Sequence, residues 1–348
     1  MKNKLPVLFA LLAALLYGVS VPLSKLLLER LSPFLLAALL YFGAGIGMLG
    51  MRLFSNARGN RSAEAHIGKK ELPFAGLMVA LDIAAPVLLL FGLRQATAAS
   101  VSLAGNFETA ATAVFALLLF REPIGKRLWL AIALITAASV LLSLGDAKNL
   151  ALSPGMVFAL LACACWGLEN NCTRALSQKD PQQIVAIKGI GAGAGALLLA
   201  ACTGELTWEP VSVLFALLLG FASYGISIRL YILAQRNLGA ARTGAYYAAA
   251  PFLGAALSAA LFGQSLTLFF LAALILMAAG GILAVTERHA HVHAHMALTH
   301  EHRHSHDDGH HAHAHDVPFS GEHSHVHAHA ALTHMHPHTP DIHHAHTH

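Results

Sequence analysis

FALLAALLYGVSVPLSK (Phe9–Lys25) and FALLACACWGLENNCTR (Phe158–Arg174) correspond at a constant offset of 149 residues. Each runs on to a proline, Pro33 and Pro181, and the glycines that follow recur as well. Gly43, Gly45 and Gly47 match Gly191, Gly193 and Gly195. Further along, FREPI (Phe120–Ile124) matches FGQSL (Phe262–Leu266). The chain is therefore read as a duplicated architecture. Lys2 and Lys4 before an apolar core resemble a cleavable leader, but the recurrence makes this segment the first helix of a repeat, and it is expected to stay.

The composition says where such a chain lives. Of 348 residues, 56% are hydrophobic and 11% charged, and the mean hydropathy is +0.60. A soluble domain carries roughly a quarter charged residues. This chain lacks the polar surface to face water on all sides. Of 24 His, only His66 precedes His289, so a membrane body is followed by a polar tail. Cys163, Cys165, Cys172 and Cys202 all lie in apolar stretches, against a disulfide framework.

A spanning helix needs about 20 mostly apolar residues. Ten such stretches are expected, near Leu5–Leu27, Pro33–Phe54, Leu72–Leu93, Thr97–Phe120, Leu128–Leu144, Gly155–Arg174, Gln183–Cys202, Val211–Leu233, Ala241–Phe262 and Leu266–Thr286. They are continuous and Leu/Ala-rich, which favours helices over a barrel. The expected fold class is all-α and polytopic: ten transmembrane helices in two repeats, residues 1–146 and 153–288, before a disordered tail, 289–348. Five crossings per repeat invert the second relative to the first. That is the plan of many secondary transporters, with a site near the midplane between the halves. The positive-inside rule puts Lys2, Lys4, Arg52, Arg58, Arg61, Lys69, Lys70, Arg121, Lys126, Arg127, Arg174, Lys179, Arg236, Arg242 and Arg288 in the cytosol. Only Arg30, Arg94 and Lys148 fall clearly outside, with Lys25 close to that end. Both termini are expected to be cytosolic, in the cell (inner) membrane.

The chain resembles the drug/metabolite transporter superfamily, and its EamA branch in particular. LYGVSVPLSK (Leu16–Lys25) and CWGLENNCTR (Cys165–Arg174) are similar to the family's aromatic-Gly segment ending in a basic residue. LRQATAASVSLAGNFETAATAVFALLLFREPI (Leu93–Ile124) resembles its helix 3–4 hairpin, with Ala234–Leu266 as counterpart. Gln264 stands where an acid would match Glu122, and Thr109 where a proline would match Pro251. The resemblance covers about residues 5–286 and not the tail. It implies export of a small solute by alternating access, without ATP and without enzymatic chemistry. It leaves the substrate open.

Ionisable groups inside a membrane are costly and functional by default. Asp82 in VALDIAAP, Glu108 in GNFETAAT and Glu169 in WGLENN are the candidate coupling or substrate residues. Asp82 and Glu108 fall at comparable depth in adjacent helices and are suited to accept a proton or hold a cation. Tyr17, Trp166, Tyr246 and Tyr247 are candidate cavity aromatics. Pro22, Pro86 and Pro251 open backbone carbonyls inside helices. Lys25 and Arg229 read as snorkelling side chains. Cys165, Glu169 and Cys172, at i, i+4 and i+7, share a helical face and are a weaker candidate for metal, since three ligands leave a tetrahedral shell incomplete. The glycine runs read as close helix packing.

The tail is dominated by His-x-His. Its candidate metal ligands are His289, His291, His293, His295, His302, His304, His306, His310, His311, His313, His315, His323, His325, His327 and His329. In an extended chain, i and i+2 share a side, so pairs of neutral imidazoles suit Zn, Ni, Co or Cu. No cofactor is required by the rest of the chain. A pH-responsive segment is the competing reading, because imidazole titrates near pH 6.5. Two functions remain: an exporter of an organic solute whose tail binds metal, and a divalent-metal exporter whose tail captures its cargo. The membrane body has no intramembrane His, which ranks the organic solute first. The expected partners are the lipid bilayer, a small-molecule substrate and transition-metal ions. No nucleic acid is expected, and the absence of a GxxxxGK[ST] loop argues against an ATP-driven pump.

Overall fold

The computed structural model describes residues 5–58, 66–120, 125–145, 153–176, 179–207, 209–238, 246–247, 249–263, 267–285, 289–295, 298–304, 323–329 and 332–338. His306, His310, His311, His313, His315, Glu122 and Gln264 lie outside these residues. The membrane body is helical. The helices are α1 (Leu5–Gly18), α2 (Ser20–Leu27), α3 (Pro33–Ala57), α4 (Leu72–Gln95), α5 (Ala98–Ala104), α6 (Phe107–Phe120), α7 (Lys126–Gly145), α8 (Pro154–Leu176), α9 (Pro181–Cys202), α10 (Pro210–Gly220), α11 (Ser227–Leu238), α12 (Ala250–Phe262) and α13 (Leu268–Val285). A π-turn, Phe221–Ile226, joins α10 to α11. Among the described residues, six helical segments are long and apolar enough to cross a membrane: Leu5–Leu27, Pro33–Ala57, Lys69–Gln95, Ala98–Leu119, Pro181–Cys202 and Pro210–Ala234. Shorter apolar helices accompany them. Together they make a polytopic membrane protein.

Local chemistry sets the helix starts. Pro33, Pro154, Pro181 and Pro210 open α3, α8, α9 and α10, where the missing N–H costs nothing. Ser32 caps α3 by accepting from Leu35 N, and Asp180 caps α9 by accepting from Gln182 N. Lys25 does more than snorkel. Its ammonium donates to Leu93 O and, at 3.3 Å, to Ala96 O, closing the carbonyl end of α4 where a cation is favoured.

Helices α3 and α9 pack along each other and run antiparallel. Ser32, before α3, bonds Glu205 O beyond the end of α9 at 3.0 Å. Arg52, near the end of α3, lies 3.8 Å from Asp180 at the start of α9. They cross where Gly45 meets Gly189. A Cβ on Gly45 would fall 2.7 Å from Ile190 N. Such contact demands the smallest residue. The duplicated stretches make equivalent contacts too. A Cβ on Gly18 would lie 2.7 Å from Ala250 O, and one on Gly167, 149 residues on, 2.7 Å from Ala111 Cβ. Helix α4 packs on α8 and α1 on α11, while α7 packs on α13 and α5 on α12. That set of pairs maps onto itself when the halves are exchanged.

Four short strands are described within the tail. β1 (His289–His295) pairs antiparallel with β4 (Leu332–His338), and β2 (Leu298–His304) with β3 (His323–His329). The strict alternation of His with another residue fits the period-2 geometry of a strand, a feature that low apolar content alone hides. The register opposes His to His: His289 to His338, His291 to His336 and His293 to His334 in one ladder. The other opposes His300 to His327, His302 to His325 and His304 to His323.

Gly189→Leu should overpack the α3–α9 crossing and destabilise by about 1–3 kcal/mol. Gly76→Leu is the control, since a Cβ there meets nothing within 4 Å. Thermal unfolding in detergent checks this: Gly189→Leu should melt several degrees lower and Gly76→Leu should melt with the wild type.

Candidate functional site

A polar cluster sits in the middle of this apolar body, between residues of the first half and residues of the second. Asp82, Glu169 and Lys188 are 1%, 2% and 8% exposed. The Lys188 ammonium donates to Glu169 Oε1 at 2.9 Å and lies 3.4 Å from Asp82 Oδ2. Tyr41 Oη donates to Asp82 Oδ1 at 2.9 Å. The Trp166 indole N–H reaches Tyr41 Oη at 3.5 Å. Thr173 Oγ1 donates to Glu169 Oε1. One cation thus bridges two buried carboxylates, one from α4 and one from α8.

Several backbone features aim these groups. Asp82 lies four residues before Pro86 within α4. Proline has no N–H for the carbonyl four residues back, so the Asp82 backbone oxygen loses its helical donor beside the carboxylate. The π-turn holds Tyr224, whose ring lies 5.4 Å from Tyr41 and 5.9 Å from Tyr17. Such turns often sit at functional sites. Ser223, within it, and Ser227, just after it, donate to Leu16 O and Ala13 O at 2.6 and 2.8 Å, fixing α1 against it. A narrow cleft reaches the cluster, lined by Tyr41, Ala44, Val185, Lys188, Gly189, Tyr224 and Ile228.

Glu108 is held separately. Asn170 Nδ2 donates to Glu108 Oε1 at 2.7 Å and to Thr112 Oγ1 at 3.3 Å. Asp82 and Glu108, expected to act as neighbours, are each bound to a different face of the α8 environment: one through Lys188 and Glu169, the other through Asn170. Position along a helix does not fix the helix's rotation about its axis. Tyr17 joins an aromatic row with Tyr224 and Tyr247, and Tyr247 meets Tyr231 at 4.9 Å. Tyr246 is 37% exposed. Trp166 is buried against Tyr41. The Cys165–Glu169–Cys172 face is divided: Glu169 is taken by Lys188, and Cys172 packs with Met78, Leu176 and Ile184. Among the described residues no group of three His, Cys, Asp or Glu is placed to hold a metal ion.

Lys188, Tyr41 and Asn170 were missed in the sequence. In IVAIKGIGAGAG (Ile184–Gly195), Lys188 hides in a small-residue run. The available sign was a basic residue about two turns inside a spanning helix, which carries the same cost as a buried acid.

Polar contacts also close both ends of the seam. Beside the start of α9, Lys179 pairs with Glu71 at 3.5 Å and Ile67 N donates to Gln183 Oε1 at 3.0 Å. At the other end, Arg30 pairs with Glu209 at 2.8 Å on an exposed surface, where such a pair is worth little and opens readily.

Lys188→Met should leave two buried carboxylates without their cation and cost about 3–5 kcal/mol. Lys188→Met/Glu169→Gln should recover part of that loss. Melting temperatures of the two variants in detergent test it; an equal fall in both would mean Glu169 does not depend on Lys188.

The model of the EamA-like transporter family matches residues 4–144 and, again, 153–286. The chain is similar to an uncharacterized transporter of Methanothermobacter thermautotrophicus, 28% identical over 260 residues that cover 70% of this chain and 75% of that protein. Its fold is similar to that of a protein of known crystal structure, with a TM-score of 0.58 and 19% identity, covering 82% of this chain and 96% of that one.

Proposed function

The chain belongs to the EamA-like transporter family, and on that premise we propose that it exports a small organic metabolite by alternating access around Asp82, Lys188 and Glu169. The observation that carries this reading is the buried ion cluster, in which Asp82 comes from the first half and Lys188 and Glu169 from the second. A movement of one half against the other changes its contacts directly. Inverted five-helix repeats, residues 1–146 and 153–288, are supported by the antiparallel run of α3 and α9 and by the matching contacts of Gly18 and Gly167. The closures beside Glu71–Lys179 and Arg30–Glu209 are then the two gates. Coupling is assigned to Asp82 and Glu108. Tyr17, Trp166 and Tyr224 form the aromatic wall. The protein sits in the cell (inner) membrane with both termini in the cytosol, and transport needs no cofactor.

The same proposal makes the tail a regulator that binds Zn, Ni, Co or Cu through His289, His291, His293, His295, His302, His304, His323, His325, His327 and His329, with further ligands from His306, His310, His311, His313 and His315. The His-to-His register of the two ladders supports it, since neutral imidazole suits these metals. In the rival function metal is the cargo. The ammonium already seated between the buried carboxylates argues for an organic solute instead.

Asp82→Asn in proteoliposomes should reduce gradient-driven efflux by at least about tenfold, the effect of about 1.4 kcal/mol on a rate, while leaving folded protein in the membrane. Wild-type rates would remove Asp82 from the mechanism. Truncation after Arg288 should keep basal transport and abolish most Zn binding measured by calorimetry. Zn binding by the intact protein should weaken below about pH 6, because protonated imidazole cannot ligate. If Zn itself crosses the membrane, the metal-export function holds.

A further inference from the structure

We infer that Lys188 is a tethered counter-cation, occupying between Asp82 and Glu169 the position that the ammonium group of a transported solute takes, so that the empty carrier can return across the membrane. The inference rests on the transport function proposed above and names its substrate class: small organic molecules bearing an ammonium group.

Charge is the first support. Two carboxylates, both nearly inaccessible, converge on one ammonium at 2.9 and 3.4 Å. An anionic solute entering there meets two like charges. A second observation points to a missing donor. Asp82 Oδ2 is buried and accepts no hydrogen bond, its partner being only the more distant Lys188 ammonium. An ammonium has three N–H donors, and Lys188 spends its short contact on Glu169. A solute ammonium can supply Asp82 Oδ2 with the bond it lacks. The walls agree with this. Tyr41, Trp166 and Tyr224 stand around the cluster, and aromatic faces attract organic cations. A transition-metal ion instead needs three or more protein ligands, and among the described residues no such group is placed.

The same geometry explains why the lysine is there at all. If the two carboxylates served only the solute, release would leave both unpaired in hydrocarbon, which is severely destabilising. Lys188 reaches both from α9 and takes over when the solute leaves. No covalent bond is made or broken in this exchange. One ammonium replaces another at the carboxylates, and the displaced Lys188 ammonium turns into the cleft it lines with Tyr41 and Tyr224, whose aromatic faces attract a cation.

A carrier with its own counter-cation returns empty. One without it returns only when loaded. Proteoliposomes containing the full chain would be filled with labelled putrescine, L-lysine, L-leucine, succinate or glucose, at alkaline pH on both faces so that protons are a scarce replacement. Net efflux into solute-free buffer and exchange against the same unlabelled solute are measured side by side. In the wild type, movement should be confined to the ammonium-bearing probes. In Lys188→Met the ratio of net efflux to exchange should fall at least about tenfold, as expected for an unpaired buried charge on the return step. Lys188→Met/Glu169→Gln, which removes one carboxylate with the lysine, should show the same fall if the single variant does not fold. Lys188→Arg should restore the ratio. Transport of succinate or glucose would overturn the substrate class while leaving the transport function standing. A ratio unchanged in both Met variants would reduce Lys188 to a structural residue. A wild type that moves none of the five would contradict the transport function itself, and this inference with it.

Discussion

A charge inside hydrocarbon must have a partner, and in this protein one lysine serves two. Lys188 lies between Asp82 and Glu169 with almost no access to solvent. A lone charged side chain at the centre of a membrane costs about 2.5–3.5 kcal/mol by insertion measurements, so none of the three is stable alone. Their pairing constrains the rest. Asp82 arrives on α4, Glu169 on α8 and Lys188 on α9. These helices must therefore meet at one depth, and the glycines let them. Gly45 against Gly189 brings α3 and α9 into backbone contact. That approach puts Tyr41, on α3, within 2.9 Å of Asp82.

The apolar layout was legible because it follows from solvent alone. Runs of Leu and Ala long enough to span must be helices, and prolines mark where several begin. Gly18 and Gly167 were visible as a repeat, and they make matching contacts. Asp82, Glu108 and Glu169 stood out because acids are rare in such runs. What the sequence did not reveal was partnership. Sequence places a residue along its helix, while partnership depends on the rotation of that helix about its own axis. Rotation is set by neighbours far away in the chain. Asp82 and Glu108 face different residues of α8 and α9. Tyr246 and Tyr247 are adjacent, so about 100° of helical rotation separates them, and only Tyr247 meets Tyr17. Lys188 escaped notice because glycine and alanine around it suggest packing alone.

The tail obeys a different rule. Its lack of large apolar residues pointed to disorder, yet alternation at period two is also the pattern of a strand. Each ladder opposes His to His at three of its seven pairs. The membrane body pairs its buried carboxylates with one ammonium, while the tail is rich in imidazole. Carboxylates that already hold an ammonium favour another ammonium. Imidazoles favour a transition metal.

The most direct test is a structure of the protein in lipid nanodiscs, determined by electron cryo-microscopy with a transported amine bound. The account predicts the solute's ammonium within hydrogen-bonding distance of Asp82 Oδ2, with the Lys188 side chain displaced from the gap it fills in the empty protein. A solute bound elsewhere, with the Asp82–Lys188–Glu169 contacts intact, would contradict it.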